Sequence, residues 1–473
     1  HLSCDSDMSQ KFTWSEWKRP VVAIVLTVLC NVEMSILSLG EWPYMSTIDH
    51  GATASFFGYA TAASKAGHAV FAFVFAVWAH KISGIKIPVL AGRCITLAAC
   101  IMYIFVEFIP SNRRWWMLVC YVLFGVGIGT SPLLRSYIAR VTTDENRSTA
   151  YALQNGGLVL SSVAQIAFSG LSYPGAIVIP PHLKLNIYSA PIWVAVITNV
   201  LAIGITVFLL EDTEPIEEIK KIEGTSFNPS SFSLASIKDR FATIRSLNIP
   251  WFLVVLVIFE KMVSGLFGAS LSAVAGPMLT TMNAMGGEEI VLIMAIAQIA
   301  CGLLASGLSL LFFLCKLGKR VSCRVLLVFS NVIVILGYVI TYPFPFDSTP
   351  IQPWNETTRT GCNPLEYSWC DTQLAVSFIP FLIIMVITMS LAIPAALLSL
   401  DTIYSKIIGN IDQNVMQSVF VIAEDIIQIV GPIYGSAVYT ALGVNYINYI
   451  NGGIYILATL IWLAAWKWLL PYN

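Results

Sequence analysis

The chain has 473 residues, of which 57% are hydrophobic and 11% are charged, against roughly 25% charged residues in soluble domains. With 26 basic and 27 acidic side chains and a net charge of −1, it lacks the charged surface of a soluble enzyme of this size and the basic field of a nucleic-acid binder. The composition therefore indicates a membrane protein that has the lipid bilayer as its solvent.

Twelve apolar segments, each long enough to cross about 30 Å of hydrocarbon as a helix, follow one another along the chain. The sequence opens on His1 rather than Met, and no cleavable signal peptide is visible. The twelve apolar segments predict an all-α membrane protein with twelve transmembrane helices in two six-helix halves. The segments cover residues 20–41, 51–79, 87–109, 115–140, 148–173, 188–210, 250–282, 288–314, 321–343, 372–400, 413–440 and 446–470.

The basic residues predict the orientation. With the N-terminus inside, most of the 26 fall on the cytosolic side and four fall in outer loops: Arg113, Arg114, Lys184 and Arg359. Both termini are thus expected in the cytosol, with residues 1–19 as a cytosolic segment, 20–210 as the first half and 250–473 as the second half.

Residues 211–249 join the two halves on the cytosolic side. They are first acidic and then rich in Ser, Asn and Pro, and Ile237, Phe241 and Ile244 follow at a helical spacing. This spacing indicates a short amphipathic helix on the membrane surface, with an unstructured linker as the alternative.

Residues 344–371 form a long outer loop that contains the sequon Asn355-Glu356-Thr357. We expect a glycan on Asn355, whereas Asn146 of a second sequon lies on the predicted cytosolic side. The loop also contains Cys362 and Cys370, the pair best placed in an oxidising compartment, and we expect them to form a disulfide.

Six plus six spans around a long cytosolic loop resemble the major facilitator superfamily. The motifs resemble one subgroup in particular, the lysosomal facilitator mutated in a late-infantile neuronal ceroid lipofuscinosis (type seven). The matching stretches run in the same order over nearly the whole chain. They are Trp42-Pro43-Tyr44, Ile48-Asp49, Ser55-Phe56-Phe57-Gly58, Arg135-Ser136-Tyr137, Asn186-Ile187-Tyr188 with Pro191, Phe259-Glu260, Gly361-Cys362, Trp369-Cys370, Tyr404 to Gly409 and Gly431-Pro432.

The chain departs from the superfamily pattern in the loop between spans two and three, where the usual acidic residue is absent. The superfamily usually has Gly-x-x-x-Asp-Arg-x-Gly-Arg-Lys here, and this loop has Lys81, Gly84 and Lys86 without the acid. The corresponding loop of the second half has Gly318, Lys319 and Arg320, and we assign both loops as cytosolic gate loops. Tyr121 replaces an arginine of span four that is often tied to proton coupling in the superfamily.

Ionisable residues inside spans are candidates for function, because a charge at the bilayer centre costs from about 2.5 kcal/mol upward. The resemblance implies that spans one, four, seven and ten line a central cavity. Glu33, Arg135 and Glu260 are therefore the best candidates for substrate binding or coupling, although Arg135 is equally consistent with a structural role at the cytosolic end. Lys65 lies near the middle of span two, and Lys261 is expected to pair with a neighbour or to reach the interface.

Glu424 and Asp425 are adjacent acids in the middle of span eleven. Two like charges at low dielectric predict that at least one is protonated or paired, with Lys65 as a possible partner. A carboxyl here would supply the proton coupling that Tyr121 lacks.

No catalytic motif is present, and the five histidines are scattered and form no metal set, so we expect neither an enzyme nor a cofactor. The sequence favours a solute carrier that works by alternating access on a small solute or ion. The resemblance implies an endolysosomal membrane, with the plasma membrane as the alternative. An anion channel-like protein of the same fold and a non-transporting accessory subunit or receptor with a protein partner are the competing hypotheses.

Overall fold

The computed structural model describes residues 14–38, 40–82, 84–141, 177–179, 183–212, 250–314, 321–345, 349–408 and 413–470, with short pieces between 160 and 173. Within these residues the chain is built from helices, and ten of them are long and apolar enough to cross a membrane. Helices dominate because hydrocarbon offers no partner for backbone N–H and C=O groups, which must bond within the segment. The predicted all-α membrane fold is confirmed.

The first half contains seven described α-helices, a 3-10 helix at Phe105–Phe108 and a small hairpin. The α-helices are α1 (Trp14–Ser38), α2 (Glu41–Ile48), α3 (Ala54–Lys81), α4 (Lys86–Ile104), α5 (Arg113–Ile128), α6 (Ser131–Val141) and α7 (Ser189–Phe208), with the antiparallel strands β1 (Ile177–Ile179) and β2 (Leu183–Leu185) before α7. The fifth predicted span, 148–173, lies mostly outside the described residues.

The second half contains seven further described helices. They are α8 (Trp251–Met282), α9 (Gly287–Leu314), α10 (Cys323–Ile340), α11 (Phe378–Ile387), α12 (Ile393–Ile408), α13 (Gln413–Leu442) and α14 (Val444–Ala464). The predicted amphipathic helix in the linker lies outside the described residues.

Helix packing repeats between the halves. In the first half α4 packs against α5 and α7, and α1 packs against α7. In the second half α10 packs against α12 and α14, and α8 packs against α14. The same order of spans thus gives the same neighbours twice, as expected for an internal repeat.

Two spans are interrupted where the sequence disfavours a regular helix. Span four is divided into α5 and α6 at Gly129 and Thr130, just before Pro132. A single π-helical turn, Thr388–Ala392, joins α11 to α12 immediately before Pro394, whose missing N–H disrupts the regular hydrogen-bond ladder. Interruptions of this kind are common sites of helix kinks.

The halves share apolar packing at only one end of the described structure. We call this the loop end, because it carries residues 349–377, and we call the end where α7 finishes and α8 begins the linker end. One apolar cluster at the loop end joins Trp42 and Phe57 of the first half to Met278 and Tyr439 of the second. The clusters toward the linker end each belong to one half. The described apolar core is therefore shared at the loop end and separate at the linker end.

Candidate functional site

The first half contains a buried ion pair. Arg93 of α4 donates a hydrogen bond from Nη1 to Oε2 of Glu33 on α1 over 3.1 Å, and its Nη2 lies 3.2 Å from the Cys30 Sγ. The side chains of Glu33 and Arg93 are each 2% exposed. Two opposite charges buried together at hydrogen-bond distance stabilise one another where neither reaches water.

The second half contains a buried carboxyl that has no such partner. Glu260 of α8 is fully buried, and its Oε2 accepts a hydrogen bond from the Asn331 amide of α10 over 3.2 Å. Its Oε1 has no hydrogen-bond partner within the described chain. Glu33 and Glu260, expected to face a central cavity, thus each lie inside their own half in this conformation.

Lys261, the next residue along α8, is at the centre of a charged cluster. Its Nζ lies 3.1 Å from Asp401 Oδ1 of α12 and 3.1 Å from Glu424 Oε2 of α13. The ammonium group also lies 4.9 Å from the centre of the Phe420 ring. The lysine side chain is only 5% exposed, whereas those of Asp401 and Glu424 are 56% and 30% exposed, so the two acids surround a buried cation and extend to the molecular surface.

The other sequence candidates occupy separate places. Lys65 of α3 lies within electrostatic range of Glu41 and Asp425, so of the two adjacent acids Asp425 interacts with Lys65 and Glu424 binds Lys261. The Arg135 side chain is exposed on α6. Lys65 and Asp425 connect the two halves, because α3 and α13 pack against each other across the interface.

The loop between α3 and α4 is held by an acid from outside the loop. Asp212, which follows α7, accepts hydrogen bonds at Oδ1 from the backbone N–H of Ile85 over 2.7 Å and of Lys86 over 3.0 Å. Gly84 lies against this carboxylate, and a Cβ there would come within 2.6 Å of it. Asp212 therefore serves the N-terminus of α4 in place of the acid that the loop lacks.

The neighbouring acid has a different set of partners. Glu211 accepts hydrogen bonds of 3.3 Å from each of Lys18 and Arg19 of α1, and its backbone carbonyl accepts one from the Tyr137 hydroxyl of α6. The bond from Lys18 contributes most to holding the pKa of Glu211 below its usual range. Lys81 is exposed at the end of α3, while Gly318, Lys319 and Arg320 of the second gate loop lie outside the described residues.

The loop end is closed by polar contacts between the halves. Trp42 donates a hydrogen bond from Nε1 to the Thr280 hydroxyl over 3.2 Å, and Ser55 donates one to the Thr440 hydroxyl over 3.0 Å. Beside them Gly58 lies so close to α13 that a Cβ would come within 2.8 Å of the Pro432 carbonyl. Together with the shared apolar cluster, these contacts hold the halves together at this end.

The outer loop folds over the loop end. The disulfide between Cys362 and Cys370 is present, which confirms the predicted pair. Trp369 donates a hydrogen bond from Nε1 to the Tyr439 carbonyl of α13 over 2.9 Å, and the Gly361 N–H donates one to the Thr280 carbonyl of α8. Asn355 lies in an exposed turn, where its side-chain oxygen accepts a hydrogen bond from the Thr357 N–H.

Sequence reasoning missed three residues of these arrangements. Arg93 was not singled out, although its place seven residues into α4 is a depth at which a charge needs a partner. Asp401 and Asp212 were not singled out, because each lies far from its partner in the sequence and meets it only in the folded protein. The described residues contain no group of three or more side chains that could hold a metal ion.

Comparison with known proteins agrees with this architecture. The family model of the Major Facilitator Superfamily matches residues 22–355. The major facilitator superfamily domain-containing protein 8 of Xenopus laevis is 26% identical over 503 residues, an alignment that covers 98% of this chain and 94% of that protein.

Solved structures with the same fold include transporters of different solutes. A D-xylose-proton symporter aligns with a TM-score of 0.65 at 12% identity, over 94% of this chain and 97% of that one. The nucleoside transporter NupG gives 0.61 at 14% identity, over 96% and 100% of the chains. The xylose transporter XylE from E. coli in an inward open conformation gives 0.63 at 12% identity, over 96% of each chain. The chain belongs to the Major Facilitator Superfamily.

Proposed function

We propose that this protein is a solute carrier of endolysosomal membranes that moves a small solute or anion by alternating access. The observation that carries the proposal is the unequal packing of the two halves. They share an apolar cluster and hydrogen bonds at the loop end, while the apolar clusters of described residues toward the linker end each belong to one half. A carrier that rocks between two states requires two halves that close at one end at a time.

The charged cluster around Lys261 in the second half and the charged residues at the interface between α3 and α13 are the proposed site of solute binding or coupling. Asp401 and Glu424 are partly exposed around the Lys261 ammonium, and Lys65 interacts with Asp425 across the interface between α3 and α13. Arg135 is an exposed cation on α6. Such a mixture of charges suits a polar or ionic solute better than an apolar one.

The experiment is a flux assay with the purified protein in liposomes. A panel of labelled pentoses, nucleosides and inorganic anions including chloride is offered at increasing concentrations. We expect flux that saturates and that is accelerated by the same solute on the opposite side of the membrane. A unitary conductance in planar bilayers would instead support an anion channel, and absence of flux together with a co-purifying partner would support an accessory subunit.

The membrane and the orientation are tested separately. The proposal places the loop with Asn355 and the disulfide in the lumen and both termini in the cytosol. We expect the protein to co-localise with lysosomal markers and to lose one glycan in the Asn355→Gln variant. An Asn146→Gln variant is the matched control and is expected to migrate like the wild type. A glycan on Asn146 would reverse the proposed orientation, and location at the cell surface would favour the plasma membrane.

A further inference from the structure

The two halves carry buried carboxyls at corresponding places. Glu33 lies on α1, the first span of its half, and faces Arg93 on α4, the third span. Glu260 lies on α8, the first span of the other half, and faces Asn331 on α10, again the third span. The internal repeat thus provides two copies of one arrangement. Both copies have a buried glutamate, but its partner is an arginine in the first half and an asparagine in the second.

The change of partner alters the charge balance. The Glu33 carboxylate is matched by the Arg93 guanidinium at 3.1 Å, so the pair is neutral as a whole. The Asn331 amide donates one hydrogen bond to Glu260 but brings no charge, and the other oxygen of Glu260 has no partner within the described chain. A buried carboxylate in that position would be an uncompensated charge.

Three described cations lie on α8 and on the neighbouring helices α10 and α3, and each has another partner. On α8 itself, Lys261 binds Asp401 of α12 and Glu424 of α13. On α10, Arg324 donates to the Trp466 carbonyl and lies over the Trp466 ring, and Lys65 of α3 interacts with Glu41 and Asp425. From α14 the titratable Tyr455 faces this region, and its hydroxyl donates to the Ser264 carbonyl over 3.3 Å.

A proton is the ligand that fits this position. Ionising a carboxyl that is fully buried without a cation is so costly that such groups take up a proton instead. The neutral carboxyl keeps the bond from Asn331 to one oxygen and removes the charge from the other. A proton also needs no further ligand, whereas a metal ion would need several oxygen donors.

We propose that Glu260 is a proton-binding site that is occupied in this conformation, whereas Glu33 is ionised against Arg93. Proton binding at Glu260 itself does not depend on transport, so the two proposals can fail separately.

Infrared difference spectroscopy of the purified protein in liposomes tests the assignment. The wild type is compared with Glu260→Gln and, as the matched control, with Glu33→Gln. The wild type minus Glu260→Gln spectrum is expected to show the carbonyl band of a protonated carboxyl, which shifts in deuterated buffer. The wild type minus Glu33→Gln spectrum is expected to show the bands of an ionised carboxylate. Carboxylate bands lost with Glu260→Gln would overturn the proposal.

Thermal melting in detergent between acidic and alkaline pH gives a second readout that needs no solute. Gln resembles a protonated Glu, so Glu260→Gln is expected to melt like the wild type at acidic pH. At alkaline pH the variant is expected to be the more stable protein, because the wild-type fold must hold a proton that its unfolded chain releases. Glu33→Gln is expected to lower the melting temperature, because Arg93 loses its counter-charge. A lower melting temperature for Glu260→Gln at every pH would overturn the proposal.

Discussion

Arg93 illustrates how strongly a single residue depends on its partner in this protein. Its guanidinium is almost completely buried and contacts Glu33 and Cys30 on α1, so it connects the first and third spans of the half. Burying two charges costs several kcal/mol for each ion, and only their mutual attraction offsets that cost. The pair is therefore vulnerable to the loss of either member.

Arg93→Met is expected to destabilise the protein by about 3–5 kcal/mol, because Glu33 loses its counter-charge and must either stay buried as an uncompensated charge or take up a proton. Thermal or denaturant unfolding in detergent measures the loss. Arg93→Lys is the matched control, since it keeps the charge while losing the second contact, and a smaller loss is expected. A Met variant as stable as the wild type would show that the pair is not maintained in the membrane protein.

Several charged residues could be found in the sequence, but apart from Lys65 with the pair Glu424 and Asp425 their partners could not. Glu33, Lys65, Glu260, Glu424 and Asp425 were recognisable as charges inside apolar runs. Which of them meet is decided by helix packing over 60 to 140 residues of chain, as for Glu33 with Arg93 and Lys261 with Asp401. No local pattern contains that information.

At the scale of elements, the helices follow the apolar runs closely, because hydrocarbon imposes a minimum span and requires internal hydrogen bonding. The predicted segment 250–282 corresponds to Trp251–Met282, and 188–210 corresponds to Ser189–Phe208. The π turn at Thr388–Ala392 and the short helix Glu41–Ile48 were not predicted, since both lie within or beside continuous apolar sequence.

Asp212→Asn is expected to weaken the N-terminus of α4 by about 1 kcal/mol, because an acid at a helix N-terminus accepts N–H groups that are otherwise unpaired. Hydrogen exchange at the amides of Ile85 and Lys86 measures the effect, and faster exchange is expected. Glu211→Gln is the matched control, because Glu211 binds side chains of α1 instead. Equal exchange in the two variants would contradict the assigned role of Asp212.

At the scale of the whole molecule, function depends on whether the contacts between the halves are exchanged during transport. The loop end is closed by the bond between Ser55 and Thr440, by the bond between Trp42 and Thr280, and by the apolar cluster around them. The superfamily fold could be predicted from the sequence, but which end is closed could not, because both states share one sequence and one set of spans.

A double variant, Ser55→Cys with Thr440→Cys, is expected to form a disulfide that holds the loop end closed. The two hydroxyl oxygens are 3.0 Å apart, which places the replacing sulfurs within reach of one another. Liposome flux is expected to stop on oxidation and to return on reduction. The single variants should remain active under both conditions, and full flux through the oxidised double variant would contradict alternating access.

The most direct test of alternating access measures both ends of the molecule without knowledge of the solute. Spin labels at Lys81 and Lys406 report the linker end, and labels at Ser111 and Leu365 report the loop end; all four positions are exposed. We predict that electron–electron distance measurements will find two populations. In each population a shorter distance at one end accompanies a longer distance at the other. A single fixed distance at both ends, or widening of both ends together, would contradict it.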